Sequence, residues 1–371
     1  MKTSTSPSTS SGLATNKEIR RFKVAINTAC PLRCEYCFID KDSGETVHWD
    51  SVEALVKFML SGPGEIKKLL LYGGEPFLNF EIIEKIVPYA RAEAARVGKD
   101  LDLSICTSGF NVQRKQLEFL KEHRFFMSVS MDGDQETHDK RRVLQNGKGS
   151  WDYAAKSLPL IFDVLGKRRT MAIQCVHPDN VEKMLDNFQT LVKLGFENIE
   201  VEVIHGFEWV AKRHLFQPMM QKVLDWVWDE AQEGRFRFVV CSLVPLMLKK
   251  DILLEDWCPF HSSMETYPDG NFSFYPFAFV DWEGRKRSSV GNVKDGVAER
   301  FRSCTFDIDS EQCKNCTSDY YRSEAINEGN DPYRWRTEMA RAFMDKVALA
   351  AKTDPRMREY LKEALIRCRI S

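Results

Sequence analysis

The sequence predicts an α/β protein whose main part is a parallel sheet curved into a partial (β/α)6 TIM barrel. Apolar, β-branched runs alternate with helical patterns from about residue 20 to 205, giving candidate strands at 23–27, 68–72, 101–106, 125–130, 171–176 and 199–204. The intervening helices carry start signals. Asp50 with Glu53, and Asp179 with Glu182, have capping-box spacing ahead of apolar residues every three or four positions (Val52, Leu55, Val56, Met59; Val181, Met184, Leu185, Phe188), and Gly195 suits the exit of the second helix. In such a sheet, ligands collect at the carboxyl ends of the strands, so function is expected in the loops just after each one.

After Ile204 the rhythm stops. A Trp-rich helical stretch (Trp226, Trp228) leads to a different kind of sequence near Asp256, where aromatic-rich segments flank the turn signal Asp269-Gly270. The expected organisation is a disordered tail at 1–18, the barrel at 19–215, a helical linker at 216–255, a small α+β module at 256–330 and C-terminal helices at 331–371.

Composition narrows the class. The chain has 371 residues, 43% hydrophobic and 29% charged, enough to fill a core, and no apolar run approaches the length needed to span a bilayer. A formal net charge of -1 lacks the broad positive field of a nucleic-acid binder. The Ser/Thr-rich start has neither the apolar stretch of a secretory signal nor the arginines of a transit peptide, so the expected location is the cytoplasm. The eleven cysteines are an odd number and there is no export signal, which points to metal ligands and core residues rather than a disulfide framework.

Cys30, Cys34 and Cys37 form a CxxxCxxC pattern directly after the first strand. Chance placement of two cysteines at fixed offsets from any of the eleven is expected only about 0.01 times. Three thiolates on one loop suit an iron-sulfur cluster with one iron left open to a small molecule, such as the amine and carboxylate of an amino acid. Zinc is the alternative, but zinc loops favour paired CxxC or Cys/His sets with a fourth ligand nearby, and no histidine precedes His48.

These residues resemble the radical S-adenosylmethionine (SAM) superfamily, whose motif CxxxCxΦC has an aromatic residue where Tyr36 stands. Gly73-Gly74-Glu75-Pro76, after the second strand, is similar to the family's GGEP motif. There the resemblance implies that the glycines let the backbone approach the SAM amino group and that the glutamate completes the polar contacts. Cys106-Thr107-Ser108-Gly109 resembles the TNG segment, with Ser108 in place of Asn. Ser130-Met131-Asp132-Gly133 resembles SxDG, whose serine contacts SAM. Residues 138–151 resemble the HDxxR...GxGSF segment of peptide-modifying members, which makes Arg142 the candidate for the SAM carboxylate.

Cys258, the Asp269-Gly270 hairpin, Gly291-Asn292 and Cys313-Lys314-Asn315-Cys316 resemble the SPASM or Twitch extension, which binds auxiliary clusters. Phe277 and Arg322 mark places where that pattern has cysteines. Cys258, Cys304, Cys313 and Cys316 remain for a single auxiliary 4Fe-4S cluster, with a zinc ribbon or a metal-free remnant as alternatives. Cys106, Cys175 and Cys241 read as core residues, and Cys368 has no assigned role.

The resemblance implies reductive cleavage of SAM to a 5'-deoxyadenosyl radical and hydrogen abstraction from a ribosomally made peptide, forming a thioether or carbon-carbon crosslink. The alternatives are an anaerobic sulfatase maturase that makes formylglycine, a Twitch-type dehydrogenase of a small molecule, or a non-catalytic iron-sulfur or zinc protein. The implied partners are a peptide or protein substrate and an electron donor such as flavodoxin or ferredoxin. The 29 residues before Cys30 are too few for a winged-helix module, so a separate protein or the barrel surface would hold a leader peptide.

Overall fold

The described residues of this computed structural model are 20–204, 207, 209–239, 263–273, 289, 291–297 and 332–370. Strands β1 (Arg21–Asn27), β2 (Ile66–Gly73), β3 (Asp100–Thr107), β4 (Phe126–Ser130), β5 (Thr170–Val176) and β6 (Asn198–Val203) lie side by side in that order and are all parallel. The crossovers are α1 (Trp49–Ser61), α2 (Phe80–Arg96), α3 (Arg114–Glu122), α4 (Gln135–Asp139) with α5 (Trp151–Leu165), and α6 (Met184–Lys193).

Alternation sorts the strand residues between two faces. Phe22, Val24, Ile26, Leu69, Leu71, Leu103, Ile105, Met127, Val129, Ile199 and Val201 join the core made with Val56, Met59, Ile83, Leu117, Ile161 and Phe188 from the helices. The other face carries Lys23, Ser130, Glu200 and Glu202 together with Cys106 and Cys175, beside a small apolar cluster of Ala25, Ile39 and Tyr72. The apolar face builds the fold, and the polar face is free for chemistry.

The six expected strands are present, each to within two residues. Three expectations need correction. The rhythm does not end at Ile204: α7 (Arg213–Gln232) leads to β7 (Phe238–Val239), which pairs in parallel with Asn198 and Ile199 of β6. Neither capping box forms. Helix α1 starts at Trp49, so Asp50 lies inside its first turn, while Glu53 accepts a bond from the Trp49 indole. Asp179 instead takes hydrogen bonds from Lys140 and Arg141, and α6 is entered through a short 3-10 turn at Val181–Lys183. Charged partners from another loop outcompeted the local cap.

The turn at Asp269-Gly270 does join a hairpin, β8 (Ser263–Thr266) to β9 (Asn271–Ser273). Its first strand lies parallel to β1, so the hairpin extends the barrel sheet, followed by β10 (Gly291–Asn292) and β11 (Gly296–Val297). Lys23 of β1 and Tyr72 of β2 both bond to the buried Glu265 carboxylate across this join. Helices α8 (Pro332–Ala350) and α9 (Pro355–Ile370) pack against α7. Among the described residues, no helix is long and apolar enough to cross a membrane.

Candidate functional site

The loop after β1 carries Cys30, Cys34 and Cys37, all as free thiols. It is held from outside by the extended segment after α4. Arg33 N donates to the Val143 carbonyl (2.7 Å), Glu35 N to Arg141 O (3.1 Å), Gln145 N to Pro31 O (3.0 Å) and the Gln145 side chain to Cys30 O (2.9 Å). Leu32, Leu144 and Cys30 form a small apolar cluster over this ladder. A loop with few internal backbone bonds is thereby given a fixed shape before any metal arrives.

Successive residues of the clamping segment point to opposite faces. Arg141 turns to Glu35 of the cysteine loop (3.3 Å) and Asp179 after β5 (2.5 Å). Arg142 turns inward: Nε donates to Asp132 Oδ1 (3.0 Å), Nη2 approaches Cys175 Sγ (3.4 Å), Nη1 approaches Cys34 Sγ (4.0 Å), and the guanidinium lies 5.2 Å from the Tyr36 ring centre. The Tyr36 hydroxyl donates to the other Asp132 oxygen.

The rest of the 138–151 motif supports this arrangement. His138 Nδ1 accepts from Asp132 N (3.4 Å), its Nε2 meets Ser150 Oγ (3.0 Å), and Ser150 Oγ donates to the Arg142 carbonyl (2.6 Å). Burial pulls His138 down to about 4, so it is neutral at physiological pH. Asp139 accepts from Trp151 N (2.8 Å), and a Cβ on Gly149 would fall 2.1 Å from that carboxylate, which explains the glycine.

The loop after β2 has its own logic. Cβ atoms added at Gly73 and Gly74 would fall 2.3 Å from Asn27 O and 2.1 Å from Ala29 O, so the glycines admit the cysteine-loop backbone. Gly74 N and Glu75 N donate to those two carbonyls at 2.8 Å each. Glu75 is 0% exposed, and its carboxylate accepts from Thr107 Oγ1 (2.7 Å), Ser108 N (2.8 Å), Ser108 Oγ (2.5 Å) and Phe77 N (3.2 Å). Burial raises its pKa, and the Ser108 and Thr107 bonds oppose that shift. Glu75 therefore fastens the β3 exit to the β2 exit, and Ser108, in place of the family's Asn, is its partner.

The structure brings Tyr36, Gly73, Gly74, Glu75, Pro76, Ser108, Ser130 and Arg142 to the carboxyl ends of β1 to β4 together with the three cysteines. Cys175 is buried, as the core reading expects, and Cys106 packs against the small Ala25, Ile39 and Tyr72 cluster, but both thiols also meet polar groups of the site: Cys106 Sγ is 3.9 Å from Ser130 Oγ, and Cys175 stands against Arg142. Their polar contacts were not readable from the apolar flanks, because alternate positions of a strand face opposite sides of the sheet. Sequence reasoning also passed over Asp132 and Arg141, although both sit inside motifs it quoted. Cys241, Cys258, Cys304, Cys313, Cys316, Phe277 and Arg322 lie outside the described residues, and nothing is described of the Cys368 side chain.

The donor set fits an iron-sulfur centre. Burial pushes Cys30 up to about 12 and raises Cys34, so without a cation these thiols keep their protons. Metal coordination reverses that preference by deprotonating the thiol outright. Among the described residues, no three His, Cys, Asp or Glu side chains gather closely enough to hold a single metal ion. A cluster makes no such demand, since each thiolate binds a different iron.

The family model described as Radical SAM superfamily matches residues 24–207. Those residues, from β1 to just beyond β6, form a radical SAM domain. The chain is similar to a cysteine-type anaerobic sulfatase-maturating enzyme of Clostridium novyi, 26% identical over 140 residues, which are 36% of this chain and 37% of that enzyme. It spans less than half the length of the curated relatives it matches (42%, 37% and 48% for three of them). In fold it resembles anSMEcpe with bound AdoMet and Cp18Cys peptide (TM-score 0.64, 17% identity, 81% of this chain and 86% of that one). Streptococcus suis SuiB bound to its precursor peptide SuiA is also similar (TM-score 0.51, 12% identity, 85% of this chain and 67% of that one).

Proposed function

We propose that the chain is a radical SAM enzyme that modifies a residue within a ribosomally made peptide or protein. The observation that carries this reading is the three-thiol loop, clamped by residues 141–145 at the carboxyl end of the barrel. A 4Fe-4S cluster on Cys30, Cys34 and Cys37 would supply the electron that splits SAM, giving a radical able to take hydrogen from an unactivated C–H bond. Around it, the Gly73–Pro76 loop offers backbone polar groups and Ser130 a hydroxyl for SAM, while Glu75 holds these loops in register. An external electron donor of the flavodoxin or ferredoxin type fits the one-electron demand.

A thioether or carbon-carbon crosslink is the product that the peptide-modifying resemblance supports. The sulfatase-maturating relatives favour a second reading, oxidation of Cys or Ser to formylglycine. Anaerobic incubation of the reconstituted, reduced protein with SAM and candidate peptides, followed by mass spectrometry, separates them. A crosslink removes two hydrogens and creates no aldehyde, whereas formylglycine carries an aldehyde that a hydrazide captures. No SAM-dependent change in any peptide, with SAM still cleaved, would count against both and favour a small-molecule substrate.

The extension is proposed to hold one auxiliary cluster on Cys258, Cys304, Cys313 and Cys316. Protein lacking the three barrel cysteines should then keep about one cluster of iron and sulfide, with a signal that ignores SAM. Zinc in its place would make the module structural.

A further inference from the structure

We propose that the exposed surface formed by Tyr153, Phe110 and the turn at residues 144–148 is where an acidic one-electron carrier of the flavodoxin class docks to reduce the barrel cluster. The inference rests on the reading that Cys30, Cys34 and Cys37 hold that cluster.

Two short routes join this surface to the cysteine loop. The first is aromatic. Tyr153, in the first turn of α5, is 46% exposed, and its ring centre lies 4.8 Å from that of Phe110 with the planes 31° apart. Phe110 packs in turn on the cluster of Cys30, Leu32 and Leu144, so two rings span from solvent to the packing around a cluster ligand. An exposed tyrosine backed by a second ring suits the aromatic anchors that protein interfaces use.

The second route is the turn itself. It is closed by Gly147 N on the Leu144 carbonyl (2.9 Å) and Leu144 N on the Lys148 carbonyl (2.7 Å), and residues 145–148 are exposed. Beneath it, Gln145 N donates to Pro31 O (3.0 Å) and the Gln145 side chain to Cys30 O (2.9 Å). A partner resting on the turn is therefore one residue away from a cluster ligand.

Charge selects the partner. Lys148 on the turn and Lys156, three residues after Tyr153 and on the same side of α5, are exposed and have no ion-pair partner among the described residues. Asp152 is the one carboxylate between Val143 and Ser157. Arg33 adds a cation on the cysteine loop, bonded to Cys30 O and Leu32 O (3.2 Å each) and to Asp42 (3.3 Å). The flank around Glu35 differs, since its cations are matched: Glu35 and Asp179 take Arg141, and Asp179 also takes Lys140. An acidic carrier is steered to the Lys148 side. Its transfer moves one electron from the reduced carrier to the cluster, and no bond is made or broken.

The test compares two reductants on the full-length, anaerobically reconstituted protein: dithionite, which needs no docking surface, and a bacterial flavodoxin kept reduced by its NADPH-dependent reductase. Release of 5'-deoxyadenosine from SAM is the readout. At limiting flavodoxin, Lys148→Glu with Lys156→Glu is expected to lower the flavodoxin-driven rate by about tenfold or more, while dithionite-driven release per loaded cluster stays within about twofold of wild type. Tyr153→Ala should raise the flavodoxin concentration for half-maximal rate by about threefold or more. Raising salt from about 0.05 to 0.5 M should slow the flavodoxin-driven wild type more than the lysine variant. If the double variant loads no cluster, Lys148→Glu alone decides, with the same selective loss in smaller degree. An unchanged flavodoxin-driven rate overturns the inference, and so does an equal loss with both reductants, which assigns the surface to support of the cysteine loop. Failure of flavodoxin to replace dithionite in the wild-type chain overturns it as well. A wild-type chain that takes up no iron, or releases nothing with dithionite, overturns the underlying reading instead.

Discussion

At the barrel mouth, Arg141 and Arg142 are neighbours in sequence and turn to opposite sides of one extended segment; at the closing edge of the sheet, Arg336 and Arg367 come from α8 and α9 and grip a single strand. Arg336 Nη1 donates to Glu200 (2.9 Å), the Val201 carbonyl (2.6 Å) and Glu202 (2.8 Å). Arg367 bonds Asn198 (2.6 Å) and Glu197 (2.8 Å) and lies 4.3 Å from the Phe238 ring centre. Beyond Ile199, among the described residues, no strand pairs with β6 on the side away from β5. Arg336 and Arg367 tie β6 to α8 and α9, whereas the mouth pair links the cysteine loop to the β4 and β5 exits. Charge at the mouth joins loops to one another, and charge at the edge joins helices to a strand.

The largest effect that could break this contrast is expected at the mouth. Gly74→Val places a side chain where a Cβ already lies 2.1 Å from the Ala29 carbonyl, so the cysteine loop must move. Iron content after reconstitution is expected to fall almost to nothing while far-UV circular dichroism stays that of the folded barrel. A fully loaded variant would show that the loop does not need this seat.

At the edge the expected loss is one of stability. Arg336→Met leaves the Glu200 and Glu202 carboxylates without their cation, and breaking a buried pair in this way costs about 3–5 kcal/mol. Denaturant unfolding measures the loss. 5'-Deoxyadenosine release per loaded cluster should remain at the wild-type level under conditions where the variant is folded, and loss of release without loss of stability would place Arg336 in the chemistry instead.

A smaller effect sharpens the same point through pH. Burial pushes the Glu200 carboxyl up to about 7, with Arg336 opposing and Glu202 adding to the rise. A raised carboxyl pKa makes a contribution that is complete below the ordinary glutamate range and is lost as pH rises through the folded-state value. The melting temperature is therefore expected to fall between about pH 5 and pH 8, and Glu200→Gln should flatten that slope. An equal slope in the variant would assign it to another group.

The same contrast explains what the sequence disclosed. The mouth is written locally: Cys30, Cys34 and Cys37 share one loop, and Gly73 to Pro76 and 138–151 are short contiguous motifs, so their spacing was readable. Even so, what Glu75 and Arg142 bond to depends on Ser108 and Asp132, which arrive from other strands, and motif resemblance alone assigned both side chains to SAM. The edge is written at long range. Arg336 meets Glu200 across 136 residues, and no periodicity links them. The seventh strand, β7, follows on the strong helical pattern of α7, and its partner β6 is reached only through the fold, so the strand-helix rhythm reads as stopping one unit early. The expected cap at Asp179 failed because Lys140 and Arg141 from another loop bond it, and the one at Asp50 because α1 starts one residue earlier, at Trp49.

The most direct test of the three-thiol loop is release of 5'-deoxyadenosine by anaerobically reconstituted protein given dithionite and SAM, compared with the Cys30→Ala, Cys34→Ala, Cys37→Ala triple variant. Sustained release from the wild-type chain and none above background from the variant is the expected result. Undiminished release from the variant would contradict the account, because the radical chemistry would then have a source other than the loop after β1.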